Sequence, residues 1–395
     1  MEKQLTPQLR FPYLKDEWEK FEFSEIARRS KKSYNPNKDS ENFPCIELES
    51  LSQETGQLIK TFDSINLKSN KTRFSKNEVL FGKLRPYLKK YLLTTFEGVC
   101  TSEIWVFQGE LVSNPFLYYL IQTNKFNFEA NVSSGSKMPR TDWDYLSGIK
   151  FSIPKLSEEQ QKIASFLTDV DDKITKLTKK KDLLEQYKKG IMQKIFNQEL
   201  RFKDDKGNAF PVWEEKKLGN ICNYKNGGSF EQYVSNQGVY NLISLNSLDI
   251  NGKLKPYHKK VTINDNSLDK GDLVMVLSDV AHGYFLGLTD IVPDNTFVLN
   301  QRMGALKPKI NINSYFLKTY INFNQKYFKL IGQGSSQQNL SKGDILKFTV
   351  KMPVIEEQTK IANFLSDLDV KIEALNTKIE NSKSFKKGLL QQMFV

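Results

Sequence analysis

Histidine and cysteine, on which many catalytic and metal sites depend, are scarce in this chain. Its 395 residues include two histidines and three cysteines. Catalytic triads and histidine-rich zinc sites are therefore not expected, because both need histidine at defined positions. Cys45, Cys100 and Cys222 form neither a disulfide framework nor a CxxC pair, so a reducing, cytoplasmic setting is expected.

Long hydrophobic runs are missing as well. Among the longest is LVMVL at 273–277, far short of the roughly 20 apolar residues of a membrane-spanning helix. The opening residues, MEKQLTPQLRF, lack the apolar core of a signal peptide. Hydrophobic residues still make up 39% of the chain, which is enough for packed domains. At about 150 residues per domain, the length predicts two or three of them.

Positive charge, by contrast, is in excess. Lysine and arginine total 58 against 46 aspartates and glutamates, a formal net charge of +12. Such a surplus favours a polyanionic partner, since phosphate contacts dominate the affinity of proteins for nucleic acids. The net charge alone fits a basic protein without such a partner equally well. The positions of the charges along the chain must therefore distinguish the two alternatives.

The chain contains an internal duplication. Residues 158–196 align without a gap onto 356–394, with 19 of 39 positions identical at a constant offset of 198. Each copy follows a short strand-like run that ends in proline, at 151–154 and 348–353. The repeated unit therefore consists of a globular block and the segment that follows it.

The repeated segments predict two long helices that pair with each other. Their apolar residues recur at alternating spacings of four and three, which is a heptad seam. At 1.5 Å per residue, each helix would extend about 60 Å. Lys181 and Lys188 interrupt the first seam, so an imperfect register is expected there. A coiled coil that only joins two domains is the alternative. The predicted pairing positions are Ile163, Leu167, Val170, Ile174, Leu177, Leu184, Ile361, Leu365, Leu368, Ile372, Leu375 and Ile379.

The predicted fold class is α+β, with two mixed α/β domains separated by the two helices in a pseudo-twofold repeat. Runs rich in β-branched and aromatic residues predict strands, and apolar runs of helical period predict helices. The predicted segments are domain 1 at 1–155, helix 1 at 156–198, domain 2 at 199–354 and helix 2 at 355–395. Strands are predicted at 45–48, 78–84, 103–107, 272–278 and 296–300, and shorter helices at 115–123 and 312–322.

Motifs for chemistry on DNA are incomplete. A DNA methyltransferase needs a glycine-rich cofactor loop and an Asn/Asp-Pro-Pro-aromatic tetrad, but the run at Asn114 reads NPF without the second proline. A nuclease needs clustered carboxylates to hold metal, and Asp279 beside His282 lacks a second acidic partner. The glycines at 227–228 are not followed by the lysine of a phosphate-binding loop. The chain alone is therefore expected to catalyse no reaction and to bind no metal.

Basic and amide-rich loops recur in both globular blocks. Lysine and arginine can hold phosphates, while asparagine, glutamine and arginine can read base edges in the major groove. A single cluster of this kind is more often a solvated face, but recurrence in both halves favours DNA. The candidate contacts in the first block are Arg28, Arg29, Lys31, Lys32, Tyr34, Lys68, Asn70, Lys71, Arg73, Lys83, Arg85, Tyr87, Lys137 and Arg140. Those in the second are Lys225, Asn226, Ser229, Ser278, His282, Asn300, Gln301, Arg302, Gln333, Ser335 and Gln337.

Two variable blocks, each followed by a helix that opens EEQxKIAxFL, resemble the specificity subunit of type I restriction-modification systems. The motif begins at Glu158 and again at Glu356. Each block also opens with an FP dipeptide, at 11–12 and 210–211, followed by Trp18 or Trp213. The resemblance covers essentially the whole chain.

The resemblance implies a division of labour. Each block would be a target-recognition domain that reads one half of a split, asymmetric DNA target, and the helices would pack antiparallel as a spacer. Two modification subunits would dock on the spacer and restriction subunits would complete the nuclease. S-adenosylmethionine, ATP and magnesium would be used by those partners in adenine-N6 methylation and cleavage, with no cofactor bound by this chain. The rival interpretation is a coiled-coil scaffold that binds only proteins.

Overall fold

The chain divides into two compact units. The computed structural model describes residues 6–14, 16–64, 67, 69–132, 138–280, 283–334 and 337–395. Unit 1 comprises Met1–Lys180 and Leu375–Val395, and unit 2 comprises Lys181–Ala374. Each unit therefore combines one globular block with parts of both repeated segments.

Unit 1 contains a mixed domain of short strands and helices. Its strands are β1 (Trp18–Glu22), β2 (Ala27–Arg29), β3 (Ser33–Tyr34), β4 (Pro44–Ile46), β5 (Phe62–Asp63), β6 (Lys71–Phe74), β7 (Val79–Gly82), β8 (Tyr91–Leu93), β9 (Gly98–Cys100), β10 (Ile104–Gly109) and β11 (Lys150–Pro154). Its short helices are α1 (Phe23–Ile26), α2 (Asn114–Leu120), α3 (Asn124–Ala130) and α4 (Trp143–Ser147). One sheet has the order β2-β10-β7-β8, another has the order β3-β6-β9-β4-β5, and β1 pairs with β11.

An aromatic core holds these elements together. The Phe107 ring on β10 lies 5.4 Å from Phe23 and 6.1 Å from Phe81. Phe126 on α3 contacts Phe23 at 5.3 Å. Aromatic side chains bury the largest apolar areas, so this cluster fixes β7, β10 and α3 against each other. The loops at the ends of these elements are held in place as a result.

Unit 2 repeats the arrangement. Its strands are β12 (Glu214–Lys217), β13 (Cys222–Asn226), β14 (Tyr240–Ile243), β15 (Lys259–Val261), β16 (Leu273–Val276), β17 (Ser278–Val280), β18 (Thr289–Ile291), β19 (Phe297–Leu299), β20 (Met303–Pro308), β21 (Gln337–Asn339) and β22 (Thr349–Met352). Its short helices are α6 (Leu218–Ile221), α7 (Ser314–Phe323), α8 (Gln325–Ile331) and α9 (Lys342–Lys347). The sheet β13-β20-β16-β18 has the same strand order as β2-β10-β7-β8 in unit 1.

The repeated segments form two long helices, α5 (Ser157–Phe196) and α10 (Ile355–Gln392). In unit 1 the end of α10, at Leu389 and Met393, packs in one core with Ile163 and Leu167 near the start of α5. In unit 2, Ile195 near the end of α5 shares a core with the start of α10. The helices are therefore antiparallel within each unit, and the predicted fold class is confirmed.

The twelve predicted pairing positions are all buried or half-buried. Those nearest the start of each helix are the most enclosed, because they pack against the adjoining domain as well as against the other helix. The strands and short helices predicted in the globular blocks are also present, with their bounds shifted by a few residues.

Candidate nucleic-acid interface

A buried carboxylate anchors the domain of unit 1 to α5. Glu159 is 1% exposed and accepts hydrogen bonds from Arg10 Nε at 2.6 Å and Arg10 Nη2 at 2.7 Å. The indole Nε1 of Trp18 donates to the same carboxylate over 3.1 Å. Hydrogen bonding to Glu159 raises the pKa of Arg10. A bidentate charged pair of this kind fixes geometry as well as adding energy.

Unit 2 contains the same contact of an arginine and a tryptophan with a buried glutamate. We call this contact the clamp of each unit. Glu357 is fully buried and accepts from Arg201 Nε at 3.1 Å and Nη2 at 2.6 Å. Trp213 Nε1 donates to it over 3.0 Å. Glu357 lies 198 residues after Glu159, so the second glutamate of each EEQ motif has the same structural role.

The glutamine of each motif holds the entry of a domain helix. Gln160 Oε1 accepts from the backbone N–H of Ser113, the N-cap of α2, over 3.1 Å. Gln358 Oε1 accepts from the N–H of Asn313, the N-cap of α7, over 3.0 Å. The Nε2 of each glutamine donates to the carbonyl of the proline that ends the preceding strand run. Both domains are thus attached rigidly to the starts of the long helices.

Three segments of unit 1 converge at the end of β7. Lys83 donates its backbone N–H to Glu103 O over 2.9 Å and accepts at its carbonyl from Thr141 N over 2.9 Å. Arg85 N donates to Pro139 O over 2.8 Å. We call the resulting surface, formed by residues 83–89, 103 and 138–141, the unit 1 turn surface.

The unit 1 turn surface is positively charged. Arg140 pairs with Glu103 at 3.1 Å, whereas Lys83 and Arg85 have no side-chain partner among the described residues. Tyr87 is 53% exposed. Free cations beside an exposed aromatic ring can contact phosphates and stack on bases.

The equivalent segments of unit 2 converge in the same way. Leu277 N donates to Arg302 O over 3.0 Å, and Leu340 N donates to Leu277 O over 2.8 Å. Gln337 Nε2 donates to Ser278 Oγ over 2.5 Å. Arg302 is exposed and its side chain has no partner in the part of the chain that the structure describes. The predicted contacts Ser278, Arg302 and Gln337 are thus brought together, and Gln333 lies exposed beside them, paired through its backbone with Asn339.

A second basic surface of unit 1 lies at the edge formed by β3 and β6. Lys31, Lys32 and Asn70 are exposed, and Arg73 N donates to Lys32 O over 2.9 Å. The Arg73 guanidinium lies 4.8 Å from the centre of the Phe43 ring.

The adjoining arginines on β2 are already engaged. Arg28 pairs with Glu110 at 3.0 Å. Arg29 lies over the rings of Trp105 and Trp143 at 5.3 and 5.0 Å. Both side chains therefore have partners within unit 1, whereas the side chains of Lys31 and Lys32 have none among the described residues.

Unit 2 has its own second surface around the turn after β13. Lys225 pairs with Asp265 at 3.4 Å, and Asn226 Oδ1 accepts from the Tyr224 hydroxyl over 2.5 Å. Ser229 and Gln301 are exposed.

Four predicted contacts are buried instead, including Ser278, which is 6% exposed. Tyr34 is 1% exposed and its hydroxyl donates to Glu41 O over 2.9 Å. Lys71, opposite it in the β3–β6 pair, is 8% exposed. The polar neighbours of these residues suggested a solvated loop, but strand pairing turns both side chains inward, so they do not face a ligand. Asn300 is also buried, where its Nδ2 donates to Glu231 over 3.2 Å.

Four predicted contacts lie outside the described residues. They are Lys68, Lys137, His282 and Ser335.

Comparison with known proteins identifies the family. The model of the type I restriction modification DNA specificity domain matches residues 15–186 and again residues 212–382. The chain belongs to this family. Each match covers one globular block and much of the long helix that follows it, so the duplication seen in the sequence is a duplication of the specificity domain.

The similar proteins include two curated specificity subunits and one solved structure. The chain is 25% identical over 303 residues to the type I restriction enzyme MjaVIII specificity subunit of Methanocaldococcus jannaschii, covering 72% of this chain and 70% of that protein. It is 24% identical to the putative MjaX specificity subunit of the same organism, covering 95% and 92% of the two chains. The crystal structure of the type I restriction-modification S subunit from M. genitalium superposes with a TM-score of 0.60 at 16% identity over 99% of both chains.

Sequence reasoning missed part of the specificity-domain framework. Arg10 and Arg201, which hold the two buried glutamates, were not singled out. The tripeptide LRF at 9–11 and 200–202 was the signal that could have found them. Its duplication at the two domain entrances marks a repeated structural contact.

The described residues of the specificity domains contain no cluster of three or more metal-ligating side chains. The three cysteines are buried, and burial raises the pKa of Cys45 and of Cys222 to about 12, so neither thiol ionises near neutral pH. No described helix is long and apolar enough to span a membrane.

Proposed function

We propose that this chain is the DNA-specificity subunit of a type I restriction-modification complex, in which units 1 and 2 each read one half of a split target. The observation that carries the proposal is the separate match of the specificity-domain model to each half of the chain. Because the two domains differ in sequence, their half-sites are expected to differ and the whole target to be asymmetric.

The surfaces of each unit support DNA as the ligand. Equivalent loops converge at the ends of β7 and β16, and they present Arg85 in unit 1 and Arg302 in unit 2 to solvent. Arginine and glutamine side chains can form hydrogen bonds with base edges and phosphates. The formal charge of +12 adds attraction for the whole duplex.

The long helices have two proposed roles. They set the distance between the two reading domains, and they dock the modification subunits that transfer methyl groups to adenine. Restriction subunits join the same complex to cleave foreign DNA. S-adenosylmethionine, ATP and magnesium belong to those partners, and the complex acts in the cytoplasm, where it meets its DNA.

The rival function is a scaffold that binds only proteins. It accounts for the paired helices but leaves the free cations of the domain loops, such as Lys83 and Arg85, without a purpose. The family match to both domains does not favour it.

The experiment is a binding titration of the chain, assembled with its modification subunits, against duplex DNA at rising salt. A specificity subunit is expected to prefer a duplex carrying the target over a scrambled duplex, with affinity that falls as salt rises because counterions are released. Equal or absent binding of the two duplexes would contradict the proposal. The purified chain alone is expected to methylate and cleave nothing.

A further inference from the structure

The turn that follows β7 contains two charged residues in a backbone conformation that favours glycine. Arg85 has a φ of 52° and Lys89 a φ of 48°. Between them, Pro86–Leu88 forms a single 3-10 turn. Side chains other than glycine, asparagine and aspartate adopt this left-handed region only at a cost. Both ends of the turn are therefore strained.

Unit 2 uses glycine at both equivalent positions. Gly283 has a φ of 63° and Gly287 a φ of 78°. They lie 198 residues after Arg85 and Lys89, the same offset as the duplicated helices. The strained positions of unit 1 thus correspond to unstrained ones in unit 2.

Hydrogen bonds show that the two turns close in a similar way. Leu88 N donates to the carbonyl of Arg85 over 2.9 Å, and Leu286 N donates to the carbonyl of Gly283 over 3.3 Å. The residue after each turn, Lys90 or Leu288, accepts at its carbonyl from the last residue of β7 or β16. Both turns therefore lead back to the same point of the sheet, although the connection from the strand end is four residues longer in unit 2.

Lys89 has a structural contact that offsets its strain, whereas Arg85 does not. Lys89 Nζ lies 2.9 Å from Glu54 Oε1, and Glu54 N donates to Lys89 O over 3.1 Å. Arg85 is exposed and its side chain contacts no partner among the described residues. Strain that no internal contact offsets is concentrated at functional sites.

We propose that Arg85 reads a guanine in the half-site bound by unit 1. The proposal rests on the DNA-specificity function above and assigns one specificity-determining residue to it. The arginine fork donates two hydrogen bonds to guanine O6 and N7, the commonest specific contact in the major groove. At the corresponding point of unit 2, Gly283 carries no side chain and packs against Gln338, whose Oε1 would lie 2.0 Å from an added Cβ. The proposed contact therefore belongs to the half-site of unit 1.

The test replaces Arg85 by the residue that unit 2 uses. The Arg85→Gly chain is assembled with its modification subunits, and the methylated sites are sequenced. One guanine of the unit 1 half-site is expected to become degenerate, while the other half-site stays unchanged. Binding of the parent target should weaken roughly 5- to 100-fold, the range for loss of one bidentate base contact. The melting temperature should stay within about 3 °C of the parent, because glycine fits the turn without strain.

Two further variants keep the test decisive. Arg85→Lys retains the charge but loses the planar fork, so the preference for the same guanine is expected to weaken, though less than in Arg85→Gly because lysine can still donate to guanine. Asn77→Gly changes another residue of positive φ, 68°, which precedes β7 and lies outside the unit 1 turn surface, and it is expected to leave both half-sites unchanged. An unchanged half-site in Arg85→Gly, or an equal loss of binding on all duplexes, would overturn the assignment. A parent complex without any sequence preference would instead contradict the DNA-specificity function itself.

Discussion

Lys386 on α10 donates a hydrogen bond of 2.8 Å to Asp171 on α5 within unit 1. Unit 2 contains the equivalent ion pair between Lys188 on α5 and Asp369 on α10. Asp369 and Lys386 lie 198 residues after Asp171 and Lys188, so the duplicated sequence forms one reciprocal contact in each unit. A polar pair between two helices specifies their register and orientation.

Each aspartate also binds the adjoining domain. The Tyr119 hydroxyl donates to Asp171 over 3.0 Å, and Tyr315 donates to Asp369. Burial, together with the nearby carboxylate, raises the pKa of both tyrosines, so their hydroxyls stay protonated as donors. One carboxylate therefore connects two helices and a domain in each unit.

The two ion pairs are expected to differ in their contribution to stability. The Lys386 side chain is 10% exposed, against 21% for Lys188, and burial lowers the pKa of Lys386 against the opposing effect of Asp171. Replacing Lys386 with methionine leaves Asp171 partly buried without its cation and should cost about 2–4 kcal/mol of unfolding free energy. Lys188→Met should cost about 1 kcal/mol. Urea unfolding of the two variants measures both losses of unfolding free energy, and equal losses would contradict the expected difference between the ion pairs.

The buried glutamates of the two clamps are expected to be more important than their exposed neighbours. Glu159→Gln leaves Arg10 without its anion and should cost about 2–4 kcal/mol, and Glu357→Gln should cost a similar amount. Glu158→Gln is the matched control, because Glu158 is exposed and its pair with Lys162 is on the surface; it should cost less than about 0.5 kcal/mol. Thermal or urea unfolding tests the order. If Glu158→Gln lost as much unfolding free energy as Glu159→Gln, the clamp would be no more important for stability than an exposed ion pair.

Unit 2 is expected to lose some stability in mild acid through His258. Burial lowers the pKa of His258 below its ordinary value, and its ring packs edge-on against Phe297 at 5.3 Å. Because the unfolded chain binds the proton more readily than the folded chain, the contribution of neutral His258 to the free energy of unfolding is complete above about pH 6.5. It is lost as the pH falls through the pKa of His258 in the folded chain. His258→Phe keeps a ring and removes the titration. Its unfolding free energy should fall less between pH 7.5 and 5.5 than that of the parent; an identical fall would refute the role of His258.

The duplication, the long helices and most domain strands were predictable from the sequence, because apolar periodicity and strand propensity are local properties. By contrast, Lys188, which interrupts the heptad seam in the sequence, could not be recognised as an ion-pair residue. Its partner Asp369 lies on the other long helix, and nothing in the local pattern identifies a contact so distant in sequence.

The candidate interface was predictable only in part. Basic loops such as Lys83–Arg85 could be recognised by composition, but composition does not show which side chains strand pairing turns inward, and Tyr34 and Lys71 are buried for that reason. The left-handed backbone conformation of Arg85 could not be predicted from the sequence either. Its sequence neighbours include a proline but no glycine to mark the turn.

The length of α5 is expected to set the spacing of the target. This helix runs from Ser157 to Phe196. Four residues inserted after Thr178 would lengthen it by about 6 Å, or one or two base pairs of duplex at about 3.4 Å each. Sequencing of methylated sites should show a longer unspecified spacer with both half-sites unchanged. Four residues inserted in the exposed turn at Gly207 are the control and should leave the spacer as it was. Altered half-sites with the parent spacer would contradict the claim that the length of α5 sets the spacing.

The central claim, that each unit reads its own half of the target, is tested most directly by exchanging one domain. Residues 205–352 are replaced by the corresponding block of another family member, and the methylated sites of the resulting complex are sequenced. The account predicts that one half-site changes to that of the donor while the other half-site and the spacer are retained. A change in both half-sites would contradict it.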